Sequence, residues 1–411
     1  MRFEEFTTRF VQQTGKKEGP ISPVMVNSAS FAYGNSETGE GIFEGSVKKP
    51  LYARVGNPTS AQLEQILASM DGGIGAVAAS SGMGATAMAT LSLLRAGDEI
   101  ISVGGLFGGT YSYFSETLER FGIRTRFFDV DEFDAIEEAV NAATKIIFLE
   151  SVGNPNMRLP DIVRIAQIAS RHGVALVVDN TITPLSVAPL SLGADIVVYS
   201  TTKIITGNAS ALGGAVVFRA IAEGDDKFKS DRYREVHPFI KKMGALALVA
   251  NAKKRALRDF GMSANGFGSY LTMLGMETLP LRLDRIVGSV EAVARELDAK
   301  GMKINHPSLP SHPHHSRYQS QFANGCGTLL TLDLGSKEKA FEFLNRSRLI
   351  TITANIGDSR TLGLHMASTI YRDFDEETKA FLGITPGLVR ISIGLENPEE
   401  IINDFLRAAN I

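Results

Sequence analysis

The chain has 411 residues, 44% hydrophobic and 21% charged. These are ordinary proportions for a folded protein, with length for two or three domains, and they exclude a disordered chain or a disulfide-stapled mini-protein. Lys and Arg number 42 against 45 Asp and Glu, a formal net charge of −3, so no basic field is available for nucleic acid or an anionic membrane.

Cys326 is the one cysteine. It excludes an internal disulfide, argues against a cysteine zinc site and suits a reducing compartment. The opening stretch MRFEEFTTRFVQQTGKKEGP has acidic residues and no apolar run, unlike a secretory signal. No stretch is long and apolar enough to span a bilayer, and a cytoplasmic protein is expected.

Residues 1–55 have little periodicity and read as an extended N-terminal arm rather than a domain. From about residue 60, short apolar runs alternate with helical segments: GAVAASS, EIISVGG, TRFFDVD, KIIFLESV, VALVVDN, ADIVVYS and GGAVVFR. Several runs are apolar on both faces, as in strands covered by helices on both sides. This predicts a mostly parallel, doubly wound α/β sheet over residues 56–256.

The stretch 219–256 reads as charged and helical. Residues 257–411 predict a smaller α+β domain. A long helix is expected from Met276 to about Lys300, then a polar stretch HPSLPSHPHHSRYQSQ, then strands in TLLTLDLG, LITITANIG and LVRISIG. The last helix has its own start signal: Asn397 as cap, Pro398 in the first helical position and Glu400 three residues after the cap.

In open α/β sheets, ligands bind outside the carboxyl ends of the strands. Ser80-Ser81-Gly82-Met83-Gly84-Ala85 stands after the first run and opens a helix, where small residues let backbone N–H groups approach a phosphate. Asp179 follows five apolar residues. Its charge is disfavoured by burial unless a cation faces it. Lys203 follows Ser200, Thr201 and Thr202 at another strand end, where a desolvated amine becomes nucleophilic. Glu150 and Asn154 stand after a third strand. A phosphate cradle, a buried acid and a Schiff-base lysine together suit one ligand, pyridoxal phosphate.

Five segments then become recognisable. Ser200-Thr201-Thr202-Lys203, Tyr52-Ala53-Arg54-Val55-Gly56-Asn57-Pro58-Thr59, Ser81-Gly82-Met83, Val178-Asp179-Asn180-Thr181 and the stretch from Leu388 to Glu396 resemble, in order, motifs of the pyridoxal-phosphate enzymes of cysteine and methionine metabolism, the cystathionine γ-synthase family. The resemblance runs from about residue 20 to the C-terminus. It implies the aspartate aminotransferase-like fold, known as fold type I, with pyridoxal 5′-phosphate held on Lys203 as a Schiff base.

The resemblance also implies roles. Lys203 would move protons between substrate carbons, and Asp179 would keep the pyridine nitrogen protonated. Ser81, Gly82, Met83, Ser200 and Thr202 would bind the phosphate, and Phe107 would stack on the ring. Tyr52 and Arg54, on the N-terminal arm, would reach the phosphate of a neighbouring subunit, in a homo-oligomer that is a tetramer built from active dimers. Arg390 would clamp the substrate carboxylate. Asn154 would sit near the cofactor or that carboxylate, and Asn355 would lie on the substrate side. Alternation supports Arg390, since Val389, Ile391 and Ile393 form one apolar face and Arg390 and Ser392 the other.

Within the family, Gly109 stands where methionine γ-lyases usually carry a cysteine, and Ser112 where cystathionine γ-synthases often carry an arginine. Arg258-Asp259-Phe260-Gly261, Gly275-Met276-Glu277-Thr278-Leu279, the stretch 354–358 and the stretch 364–369 resemble O-acetylhomoserine sulfhydrylases. The implied reaction is γ-replacement on O-acetyl-L-homoserine by a sulfur nucleophile, giving homocysteine and acetate in methionine biosynthesis. Cystathionine γ-synthase or methionine γ-lyase activity is the alternative, and a sulfur-carrier protein is a possible donor in place of sulfide.

Two departures stand out. Phe107 replaces the ring-stacking tyrosine, which leaves proton work to Lys203 or to a substitute hydroxyl from Tyr111 or Tyr113. Ile204-Ile205-Thr206-Gly207-Asn208 replaces a segment that usually holds a G-H pair, and a small effect is expected.

Other readings compete. Gly82-Met83-Gly84-Ala85-Thr86-Ala87 fits a dinucleotide fingerprint, but the next strand ends in glycines, not in the acid a ribose needs. A non-catalytic binding protein on this fold is disfavoured by the joint presence of Lys203, Asp179 and Arg390. His312, His314 and His315 lie in a polar Pro-rich stretch without nearby acids or cysteine. They predict a solvated or channel loop, not a metal site. Cys326 is expected to be a buried small residue.

Overall fold

A computed structural model describes residues 5–8, 10, 19–322 and 324–411. A seven-stranded sheet holds β1 (Gly75–Ala79), β2 (Glu99–Val103), β3 (Arg124–Phe128), β4 (Thr144–Glu150), β5 (Ala175–Asp179), β6 (Ile196–Tyr199) and β7 (Gly214–Phe218), in the order β1-β7-β6-β5-β4-β2-β3. Only β7 is antiparallel to its neighbours. The carboxyl ends of the other six therefore share one edge, and the beginning of β7 joins them there.

The doubly apolar runs behave as expected. Successive residues of a strand point to opposite faces, and here both faces are core. Ile146 and Phe148 of β4, with Ala175 and Val177 of β5, enter one buried cluster; Ile147, Leu149, Leu176 and Val178 enter another on the far face.

A five-stranded sheet follows, with β8 (Ile304–Asn305), β9 (Leu329–Asp333), β10 (Thr351–Ile352), β11 (Leu362–His365) and β12 (Leu388–Ser392), in the order β10-β11-β12-β9-β8. Val389, Ile391 and Ile393 pack with Leu283, Phe343 and Phe405 from three helices. That cluster also takes Ala76, Val197 and Val217 from the large sheet, so one core joins the two layers. Asn397 caps the last helix, Pro398–Ala409, through the Glu399 N–H at 2.9 Å.

Several elements differ from expectation. Residues 36–44 of the arm are helical, capped by Asn35 and ended by Gly45 at φ 86°. The expected long helix is present as Leu279–Ala299, starting three residues later than expected, with Pro280 in its first turn, where the missing N–H costs nothing, and a separate helix, Gly266–Glu277, precedes it. The stretch 219–256 breaks into short turns and helices, the longest of them His237–Met243 and Ala247–Ala252.

Two of the three clustered histidines are buried, although Ser311, Pro313 and Ser316 around them are exposed. His312 and His314 are 7% and 3% exposed. His314 accepts the Leu159 N–H at 2.9 Å on Nδ1 and faces Asp131 at 3.1 Å on Nε2, so it fastens the second domain to the first. Among the described residues no helix is long and apolar enough to cross a membrane.

Candidate active site

The shared sheet edge opens on a cavity of about 220 Å³, the small end of the range for ligand sites. After β1, Ser81 is extended, and its Oγ accepts the Gly84 N–H at 3.0 Å. A cap of this kind is worth ~1 kcal/mol and starts the helix Gly82–Leu91 with its first N–H groups free. A Cβ on Gly82 would stand 2.6 Å from Ser200 Cβ, and one on Gly214 would stand 2.1 Å from the Ser81 carbonyl oxygen. The backbone closes into this cradle only because both positions lack side chains. Thr202 Oγ1 ties the cradle to Gly213 by bonds of 2.9 and 3.1 Å.

Three charged groups converge below the cradle. Lys203, largely buried, donates from Nζ to Asn355 Oδ1 at 2.8 Å. Burial, with the positive charge of Arg390 second, lowers the amine to about 8. Asp179 ends β5, and burial raises its carboxyl despite the Thr181 N–H on Oδ1 at 2.9 Å. It is an acid that lacks a cation. Arg390 is 2% exposed, and burial lowers it to about 10. It donates to Asn154 Oδ1 at 3.2 Å and to the Ala354 carbonyl at 3.0 Å. No carboxylate of this chain pairs with it among the described residues, so its fork is available to a bound one.

Ser81, Gly82, Met83, Phe107, Asn154, Asp179, Ser200, Thr202, Lys203 and Arg390 all line this cavity. Asn355 joins them through Lys203. Tyr52 and Arg54 do not. Tyr52 is 43% exposed, and Arg54 donates outward to the Arg258 carbonyl at 2.5 Å, with its guanidinium 5.7 Å from the Tyr52 ring centre. Neither Tyr111 nor Tyr113 supplies the hydroxyl Phe107 lacks. Both lie outside the cavity lining; Tyr111 stacks on Phe127 at 4.6 Å, and Tyr113 bonds Thr90 Oγ1 at 3.0 Å.

The lining also holds residues without an expected role: Thr86, Thr110, Ile182, Ala354, Ile356 and Glu150. Of these Glu150 carried a sequence signal, its place at a strand end. Cys326 is buried beside His306 at 3.2 Å, and burial pushes its thiol up. Among the described residues no group of His, Cys, Asp and Glu could hold a metal ion.

A glycine cradle at a helix start, suited to a phosphate, an acid wanting a cation and an amine with a pKa of about 8 fit pyridoxal 5′-phosphate group by group. Sheet and cavity together define an enzyme that works through an amine-reactive, phosphorylated cofactor.

The family model described as Cys/Met metabolism PLP-dependent enzyme matches residues 7–410. The O-acetyl-L-homoserine sulfhydrylase 1 of Thermus thermophilus is 36% identical over 94% of each chain. The homocysteine synthase of Schizosaccharomyces pombe is 35% identical over 93% of this chain and 92% of its own. A Campylobacter jejuni crystal structure, provisionally described as an O-acetylhomoserine (thiol)-lyase and containing N′-pyridoxyl-lysine-5′-monophosphate, superposes with a TM-score of 0.94 at 31% identity, covering 100% of both chains. The chain belongs to the family of Cys/Met metabolism PLP-dependent enzymes.

Proposed function

We propose that this enzyme catalyses γ-replacement on O-acetyl-L-homoserine: a sulfur nucleophile, sulfide or carrier-bound sulfur, displaces acetate and yields homocysteine for methionine biosynthesis. The observation that carries the reading is one cavity in which Lys203 Nζ, Asp179 and an unpaired Arg390 meet. Relatives named as O-acetylhomoserine sulfhydrylase and homocysteine synthase support it.

The cofactor, when bound, supplies an amine-reactive carbonyl and a ring that accepts electrons from the substrate. The cradle at Ser81, Gly82, Met83, Ser200 and Thr202 holds its phosphate. Asp179 holds the proton on its ring nitrogen, because a buried carboxylate gains most from a cation opposite it. Phe107 covers one ring face and excludes water there.

Arg390 binds the substrate carboxylate through its guanidinium fork, with Asn154 and the Ala354 carbonyl fixing that fork. Lys203 Nζ takes the Cα proton, gives it up again on the cofactor side, and only then, as the neutral amine, takes a Cβ proton. With a pKa near 8 the amine can both accept and return a proton at neutral pH. Acetate leaves from Cγ with its bonding electrons, the sulfur nucleophile adds at Cγ, and Lys203 returns protons to Cβ and Cα. Phe107 has no hydroxyl to share this work, so Lys203 carries it alone.

Tyr52 and Arg54 lie outside the lining of their own cavity, which suits contact with the phosphate of a second copy and an active unit of at least a dimer. The test is product analysis. The purified enzyme receives O-acetyl-, O-succinyl- or O-phosphohomoserine, each with sulfide, cysteine or no thiol. Homocysteine from the acetyl ester and sulfide is expected. Cystathionine as the main product, or rapid 2-oxobutyrate release from methionine, overturns the assignment.

A further inference from the structure

Glu150 is the acid of the cavity that this chemistry leaves without work. It ends β4 directly beside Asp179 in the sheet register and is 7% exposed. Its Oε1 accepts the Phe107 N–H at 2.7 Å. Phe107 begins the short helix Gly108–Ser112 without any local side-chain cap. Glu150, at the end of β4, instead accepts the N–H of the capping residue itself. It thereby ties the backbone of the ring-covering residue to the strand that leads into Asn154.

We propose that Glu150 is a positioning residue that works as a neutral acid, fixing Phe107 over the cofactor without placing a second negative charge beside Asp179. The 2.7 Å bond to Phe107 carries the positioning role, and two geometric facts favour the neutral form: the adjacency to Asp179, and no cation paired with Glu150 among the described residues. The electrostatics agree. Burial first, then the charge of Asp179, pushes the Glu150 carboxyl well above its usual range, against weaker pulls from the Phe107 and Asn154 N–H groups. An ionised Glu150 would compete with Asp179 for the ring proton and weaken the selectivity of the pairing. The inference rests on the seating of the cofactor between Lys203 and Asp179.

The test uses holoenzyme: wild type, Glu150→Gln, Glu150→Ala and Glu150→Asp. Borohydride reduction and peptide mass mapping first locate the cofactor. Its dissociation constant and the pH midpoint of its absorption are then measured. Glu150→Gln keeps the acceptor and stays neutral, so affinity should hold within about twofold and the midpoint should not move. Glu150→Ala and Glu150→Asp lose the reach to Phe107 and should weaken affinity about tenfold. A midpoint displaced in Glu150→Gln by about half a unit or more means the residue is charged in the wild type, which overturns the proposal. Wild-type affinity in Glu150→Asp, or in Glu150→Ala, also overturns it, and either variant suffices if the other fails to fold. Label absent from Lys203 in the wild type brings down the cofactor seating itself, whereas label on Lys203 with a displaced midpoint brings down only the role of Glu150.

Discussion

The amine of Lys203 rests 2.8 Å from the side-chain oxygen of Asn355, a residue 152 positions later in the chain. The lysine belongs to the large sheet's edge and the asparagine to the loop after β10. The bond therefore spans the two domains and fixes where the amine waits.

Asn355→Asp sets a carboxylate against that amine. An opposite charge at this range favours the protonated form, so the Lys203 value of about 8 should rise by about one unit or more. Capture of the cofactor by cofactor-free protein needs the neutral amine and speeds up as pH rises through that value. In the variant the whole rise should move to higher pH. Stopped-flow absorbance across the alkaline range reads it, and a profile identical to wild type contradicts the role given to Asn355.

Phe107→Ala removes the ring from the cavity wall and should weaken cofactor binding by about fivefold or more, the value of an aromatic contact. Phe107→Tyr restores the ring and adds a hydroxyl. Because Lys203 does the proton work, the pH dependence of kcat should keep its shape. A new ionisation in that profile would show that the hydroxyl joins the chemistry.

Gly82→Ala brings a methyl to 2.6 Å from Ser200 Cβ, a separation that forces the strand ends apart. A shift approaching 1 Å in such a cradle costs about a hundredfold, and most of it should appear in cofactor affinity. Fluorescence titration of the cofactor-free variant measures this. Near-native affinity would mean that the phosphate lies elsewhere.

Asp71 concerns stability. It is 6% exposed, Tyr199 donates to Oδ1 at 2.7 Å, and Oδ2 has no hydrogen-bond partner among the described residues. Burial raises its carboxyl from 3.8 to about 7. The folded state therefore holds a proton that the unfolded chain releases between those values, and stability falls as pH rises through that window. Above it, folding must bury a carboxylate. Asp71→Asn imitates the protonated form. It should raise Tm at pH 8 by roughly 2 °C or more and leave it little changed at pH 4. Equal effects at both pH values would show that Asp71 does not titrate with folding.

Much of the scaffold could be read in the sequence because its strands are apolar on both faces. Arg390 was legible for a related reason: alternation with Val389 and Ile391 separates it from the core face, and its burial follows from facing the cavity instead of water. The helix over 36–44 left its marks too, an Asn before it and a Gly after it, hidden inside a stretch rich in turn residues. Distance in sequence hid the rest. Nothing local links Asn355 to Lys203, or Glu150 to Phe107, and nothing in the histidine stretch announces that Leu159 and Asp131 will cover it.

The reversed direction of β7 has a consequence for access. Because this strand starts where its neighbours finish, the loop leading into it arrives at the rim of the cavity, and Leu212, 67% exposed, borders the opening. The floor is packed from glycines and buried charges, whereas Leu212 stands exposed at the rim, so a change of side-chain size there is expected to act on access before it acts on the groups beneath.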